Sequence, residues 1–139
     1  MFDLDTLDVD LPSGADLVAE SWRRGWTVPE PITLSAWADR YRKLPKEGSS
    51  EAGDWYTSRM PFLREIMDCL HRESTVRETT IKKSTQVGGT EVGINWLGYI
   101  IEHAPGPVMY VLPTIDTARK FSDQRLAPAI ALMPVLQER

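Results

Sequence analysis

Apolar residues recur at spacings of three and four over several stretches of the chain, and each such stretch predicts an amphipathic helix. Leu17, Val18 and Trp22 share one side of a first helix over about 15–24, with Gly25 as its stop. Leu34, Trp37, Ala38 and Tyr41 form the apolar face of a second, capped by Thr33 or Ser35 and running to about residue 44. Arg40, Arg42 and Lys43 lie on the opposite face and read as a solvated surface. Pro61 is placed to open a third helix over about 61–72, with Phe62, Ile66, Cys69 and Leu70 as its buried stripe. A central helix over about 89–103 carries Val92, Trp96, Tyr99 and Ile100. Beyond it, Thr114 or Asp116 can start a helix containing Ala118 and Phe121, and a last helical piece falls around 128–133.

Two segments break this period. Residues 76–82, with Val76, Thr79, Thr80 and Ile81, favour extended structure. Residues 108–112 are continuously apolar, as expected for a strand buried on both faces of a parallel sheet, and they lie between Ala104-Pro105-Gly106-Pro107 and Pro113. The order is helices, then strand, loop, helix, strand and helix, which is one right-handed βαβ unit with a further helix. The predicted class is α/β, a parallel sheet preceded by N-terminal helices. Residues 1–14 read as a loose acidic lead-in, 26–32 as a proline-containing linker, and 45–54 as a loop. Two strands leave a parallel sheet incomplete, and the expectation is a truncated domain that exposes a sheet edge and aggregates when expressed alone.

Composition changes this picture little. The chain has 139 residues, is 42% hydrophobic and 26% charged, and carries a net charge of −4, so it is one domain or part of one. An acidic balance gives no global nucleic-acid footprint. The single cysteine, Cys69, precludes an internal disulfide and sits among Ile66, Met67 and Leu70 as a buried thiol. His71 and His103 have no cysteine partners and suggest no zinc site. The N-terminus lacks a secretion signal, and no apolar run approaches the ~20 residues of a membrane span, so a cytoplasmic location without membrane partners is expected.

The candidate chemistry lies between the first predicted strand and the central helix, in Lys83-Ser84-Thr85-Gln86-Val87-Gly88-Gly89-Thr90-Glu91. A strand, a glycine loop and a helix start form an anion site, because free backbone N–H groups and the helix dipole point at the loop. The common phosphate loop is G-x-x-x-x-G-K-[ST]. With Thr90 as its final hydroxyl, Gly88 takes the second glycine, Gly89 stands in place of the lysine, and Lys83 takes the first position. A lysine on a flexible stem can still reach phosphates from there. An ordinary turn around Gly88-Gly89 is the competing reading. Upstream, Trp55 and Tyr56 could fold over a nucleotide base and Arg59 could reach phosphates; anchoring of that loop on the core is the alternative.

The runs Trp37-Ala38-Asp39-Arg40-Tyr41-Arg42-Lys43-Leu44-Pro45, Trp55 to Arg59, Pro61-Phe62-Leu63-Arg64-Glu65-Ile66-Met67-Asp68, the loop itself and Leu112-Pro113-Thr114 together resemble the large terminase subunit of tailed bacteriophages, lambda GpA type. The likeness covers roughly 30–139. It implies the N-terminal part of a P-loop ATPase domain of the additional-strand type, in an ATP-driven motor that packages viral double-stranded DNA into a procapsid through its portal. It further implies a downstream metal-dependent endonuclease, a homo-oligomeric full-length motor and a bacterial host cytoplasm. Lys83 would be the phosphate lysine, Ser84, Thr85, Gln86, Val87, Gly88 and Gly89 the backbone cradle, Thr90 the Mg²⁺-side hydroxyl, and Glu91 the start of the helix beyond it. Trp55 and Tyr56 would hold the adenine, with Arg59 beside them. Residues 1–30 match nothing specific, and the family places small-subunit docking there, whereas 31–139 form the ATPase part. The acidic strand that supplies the catalytic base, the coupling motif and the nuclease carboxylates do not occur in the chain, so weak ATP binding and negligible hydrolysis are expected. A helicase-like P-loop ATPase, or a prophage remnant acting only as a binding module, are the other readings.

Overall fold

The computed structural model describes residues 13–26, 30–46 and 52–137. Most of the acidic lead-in, part of the 26–32 linker and residues 47–51 of the predicted loop lie outside these. The chain divides into two compact units, 1–30 and 31–139.

In the first unit, α1 (Gly14–Trp26) starts at Ser13, whose Oγ accepts the backbone N–H of Asp16 at 3.2 Å. That bond satisfies one of the orphan donors of the first turn, where Asp16 also complements the helix dipole. The helix runs through Gly25 instead of stopping there. A glycine costs a helix interior only ~1 kcal/mol relative to alanine, and Trp22 and Trp26 stack across it with centroids 6.0 Å apart. Leu17, Val18, Trp22 and Trp26 are all exposed.

The second unit begins with α2 (Leu34–Tyr41), capped by Thr33, whose hydroxyl accepts from Ala36 N–H at 3.3 Å. The backbone turns extended at Arg42 and leads into β1 (Lys43–Leu44), paired antiparallel with β2 (Gly53–Asp54). A short 3-10 turn over Thr57–Arg59 leads to α3 (Phe62–Cys69). Next come α4 (Gly89–Glu102) and α5 (Ile115–Phe121), the latter started by Thr114 accepting from Thr117 N–H at 3.2 Å. A π-helical turn, Ser122–Leu126, joins α5 to α6 (Ala127–Ala131), and α7 (Pro134–Gln137) closes the described chain.

The core is built around α4, which packs against α2, α3 and α7. Leu34, Trp37, Leu63, Met67, Val92, Ile94 and Tyr99 are at its centre, with Ala129, Met133 and Leu136 closing it from the C-terminal helices. Trp37 meets Tyr99 edge-on at 6.2 Å and lies against Gly98, where an added Cβ would come within 2.5 Å of its ring. The polar tips of these aromatics are satisfied: Trp37 Nε1 donates to Glu102 at 2.9 Å, Trp96 Nε1 to the Leu70 carbonyl at 3.0 Å, and the Tyr99 hydroxyl to the Ile32 carbonyl at 3.3 Å. The buried face of α3 is rotated from the predicted stripe. Leu63 and Met67 are buried, Ile66, Cys69 and Leu70 are half-buried, and Phe62 is 57% exposed. The helix starts at Phe62, so its first side chain looks back into the solvent-facing turn.

The predicted parallel strands take a different form. Among the described residues the β1–β2 ladder is the one sheet, and 76–82 and 108–112 carry no regular secondary structure. Val76, Ile81, Val108, Met109 and Val111 are exposed. A strand is completed by a neighbour's backbone hydrogen bonds, and the described residues place none beside either segment. The 108–112 segment is nonetheless pinned at its middle: Tyr110 stacks on Phe121 at 4.7 Å, and its hydroxyl would meet a Cβ at Gly93 at 2.9 Å. As described, the architecture is mixed, a helical core with one small antiparallel sheet.

Candidate functional site

The loop before α4 has the backbone that its glycines suggest. Gln86 sits at φ 59° and Gly88 at φ 77°, both left-handed, so the chain reverses sharply just before the helix. A side chain at Gly88 would also crowd Leu63 Cδ1 at 3.0 Å and Met60 Sδ at 3.1 Å, which adds to the preference for glycine set by φ. Gly88 is the N-cap of α4 and offers no capping side chain, so the first-turn amides of a 14-residue helix face the loop without a side-chain acceptor.

Lys83 answers the question raised by its displaced position. Its stem crosses the loop and lies on Gly89: a Cβ there would be 2.4 Å from Lys83 Cε and 2.6 Å from Cδ, with Nζ at 3.4 Å. The lysine thus fills the side-chain space of residue 89, where the common motif keeps its own lysine. Its ammonium donates to the Ser84 carbonyl at 3.4 Å, a long bond that leaves donor capacity.

A cavity of ≈ 630 Å³ opens over this junction. Lys83, Gln86, Val87, Gly88, Gly89, Thr90 and Glu91 line one side, Leu44, Trp55 and Met60 an apolar wall, and Arg125 completes the rim. Ser84 instead lines a smaller apolar depression of ≈ 260 Å³ with Phe62, Ile66, Ile81 and Val92. Thr85 lines neither. Trp55 is 2% exposed, its Nε1 donating to Thr57 Oγ1 at 3.1 Å and its backbone N–H to the Arg42 carbonyl at 2.9 Å. It therefore anchors the loop on the core and also lines the cavity. Tyr56 and Arg59 are not part of the lining; the Arg59 guanidinium sits 5.3 Å from the Tyr56 ring centroid on the exposed surface.

Glu91 is occupied on both oxygens. Its Oε2 accepts from Arg42 at 2.9 Å and its Oε1 from Arg125 at 2.5 Å. Arg42 is 2% exposed and also donates to Asn95 Oδ1 at 3.0 Å and to the Lys43 carbonyl. Burial pulls the Arg42 guanidinium below its ordinary pKa, and the charge of Glu91 opposes that pull. Of the solvated face expected for α2, Arg40 and Lys43 are exposed and Arg42 is the exception, because the helix ends at Tyr41 and the extended backbone at Arg42 turns its side chain inward. The signal was present on α4: Asn95 lies among apolar neighbours with Glu91 four positions before it, and a buried Asn requires a polar partner. Arg125 gave no comparable sign, because its approach depends on how the π-helical turn folds back.

The arrangement offers a polyphosphate a helix N-terminus, a lysine lying across the loop, a hydroxyl at Thr90 and an arginine at the rim. Its size falls within the ~300–1,000 Å³ usual for small-molecule sites. Among the described residues no group of three or more His, Cys, Asp or Glu is placed to hold a metal ion, and no helix is long and apolar enough to cross a membrane.

A family model described as "Phage terminase large subunit gpA, ATPase domain" matches residues 49–139. The terminase large subunit of Enterobacteria phage P21 is 32% identical over 111 residues, 80% of this chain and 17% of that protein. The terminase large subunit of Escherichia phage lambda is 35% identical over 108 residues, 78% of this chain and 16% of that protein. The chain therefore spans about a sixth of the length of these curated relatives. No solved structure matches it significantly.

Proposed function

Because the chain belongs to the family of phage terminase large subunits, ATPase domain, we propose that it is the ATP-binding front of a viral DNA-packaging motor, with the 83–91 loop as its phosphate cradle. The observation that carries this reading is the Lys83 stem lying across Gly89 at the start of α4. That position brings the ammonium of a lysine at the front of the motif close to residue 89, which supports a phosphate role for it. Lys83, the loop amides from Gln86 to Gly89 and Arg125 would hold the phosphates, and the apolar wall with Trp55 would take the base; Ser84, Thr85, Tyr56 and Arg59, outside the cavity lining, would reach a nucleotide only after the loop moves.

Mg²⁺ keeps most of its waters and binds chiefly through substrate phosphates and one or two oxygen ligands. Thr90, one position into α4, supplies the hydroxyl for that role. When bound, the Mg²⁺–ATP pair supplies the phosphoryl group whose transfer drives translocation in the complete motor. The chain's own contribution is to bind and orient it. The finer fold reading, a P-loop domain of the additional-strand type, has 76–82 and 108–112 flanking α4 as its strands; their exposed apolar side chains suit a parallel sheet completed by other strands. Endonuclease action, double-stranded DNA, the procapsid portal and a homo-oligomeric ring in the host cytoplasm belong to the full-length motor in this reading. The exposed Leu17, Val18, Trp22 and Trp26 of α1 in the 1–30 unit suit docking of the small subunit.

Thr90→Val tests the metal assignment with little change of volume. Its ATP affinity should match the wild type without Mg²⁺ and lose most of the gain that Mg²⁺ confers. An equal Mg²⁺ gain in both proteins would remove Thr90 from the metal.

A further inference from the structure

We propose that Arg125 is a second phosphate-binding cation of this cavity, oriented towards it by Glu91. The inference rests on the nucleotide reading above and adds to it a residue 42 positions from Lys83 in the chain. Three observations converge on it. Arg125 lines the same cavity as Lys83, Gly88, Gly89 and Thr90. It is carried on a π-helical turn, Ser122–Leu126, between two α-helices, and such turns cost helical regularity and occur preferentially at functional sites. Its Nη2 donates to Glu91 Oε1 at 2.5 Å, and its side chain stays 38% exposed. A guanidinium has five N–H donors in a planar fork, and this ion pair sets the direction of that fork.

The charges support the same assignment. Glu91 is the carboxylate at the cavity, and it answers two arginines at once. Arg42, Glu91 and Arg125 together carry one net positive charge, and Lys83 adds a second. Arg42 is buried and committed to Asn95, Glu91 and the Lys43 carbonyl, so its charge holds Glu91 in place. Arg125 is the most exposed of the three. A purely structural Glu91–Arg125 pair would gain little at this exposure, because solvent and salt screen ion pairs near the surface. A bidentate arginine contact to a phosphate is a stronger use of the same fork.

The test is a calorimetric titration of ATP, inorganic tripolyphosphate and adenosine into wild type, Arg125→Ala, Arg125→Lys and Lys83→Ala, with thermal unfolding of each followed by circular dichroism. Arg125→Ala should bind ATP and tripolyphosphate roughly tenfold or more weakly, the loss of one charge-assisted contact. Adenosine binding should not change, Arg125→Lys should recover part of the loss, and unfolding should remain cooperative. If Arg125→Ala binds both polyphosphates like the wild type while Lys83→Ala does not, the Arg125 assignment fails and the nucleotide site stands. Polyphosphate binding that ignores both substitutions overturns the site and this inference with it.

Discussion

Gly89→Ala separates binding from stability at a single atom. The new Cβ would stand 2.4 Å from Lys83 Cε, and restoring the ~3.5 Å of ordinary carbon contact moves the lysine stem by about 1 Å. Gly89 has an ordinary φ and lies in the first turn of α4, so alanine is conformationally permitted. Replacing glycine by alanine in a helix favours folding by ~0.5–1 kcal/mol. Moving the free end of a lysine stem costs little, because the stem is flexible and its ammonium makes only a long bond to the Ser84 carbonyl. Stability should therefore stay level or rise by up to ~1 kcal/mol. Binding should move the other way. A displaced lysine forfeits a charge-assisted phosphate contact of ~1.5–3 kcal/mol, which is roughly a tenfold to hundredfold loss in ATP affinity. Urea unfolding and an ATP titration on the same sample read the two effects. Wild-type ATP affinity in Gly89→Ala would refute the reasoning, since the crowding on Lys83 would then have no bearing on phosphate binding.

Two further outcomes follow from the core. Gly98→Ala places a Cβ 2.5 Å from the fully buried Trp37 ring, and this overpacking should cost about 1–3 kcal/mol, read as a lower urea midpoint with an unchanged slope; an unchanged midpoint would mean that α2 and α4 can separate freely. Burial raises the Tyr99 phenol above its ordinary value of 10.0, so the folded state retains a proton that the unfolded state releases first. The stability tied to that proton is complete below pH 10 and is lost as pH rises through the higher folded value. Unfolding midpoints from pH 8 to 11.5 should fall less steeply in Tyr99→Phe than in the wild type, and parallel curves would exclude Tyr99 as a source of the alkaline slope.

Much of the helical frame is legible in the sequence, because it depends on local chemistry. Thr33 and Thr114 cap where their hydroxyls suggest, and the apolar repeats place α2, α3 and α4. The glycine turn before α4 is legible for the same reason, since left-handed backbone at Gly88 is a demand on one residue. Legibility fails where a residue's role is set by partners distant in sequence. The apolar run at 108–112 specifies what a strand would bury and is silent on which backbone lies beside it. Arg42 follows the helical period only as far as the helix does, and one residue beyond Tyr41 the period no longer points its side chain. The position of Lys83 over Gly89 lies between these cases. The motif shows that the lysine has moved, and only the folded loop shows where its stem comes to rest.

That resting place is the centre of the account, and titrating Mg²⁺–ATP and adenosine into wild type and Lys83→Ala measures it most directly. The account predicts that Lys83→Ala loses roughly tenfold or more in ATP affinity, leaves adenosine binding unchanged and unfolds at the wild-type temperature. Equal ATP affinity in the two proteins would contradict it.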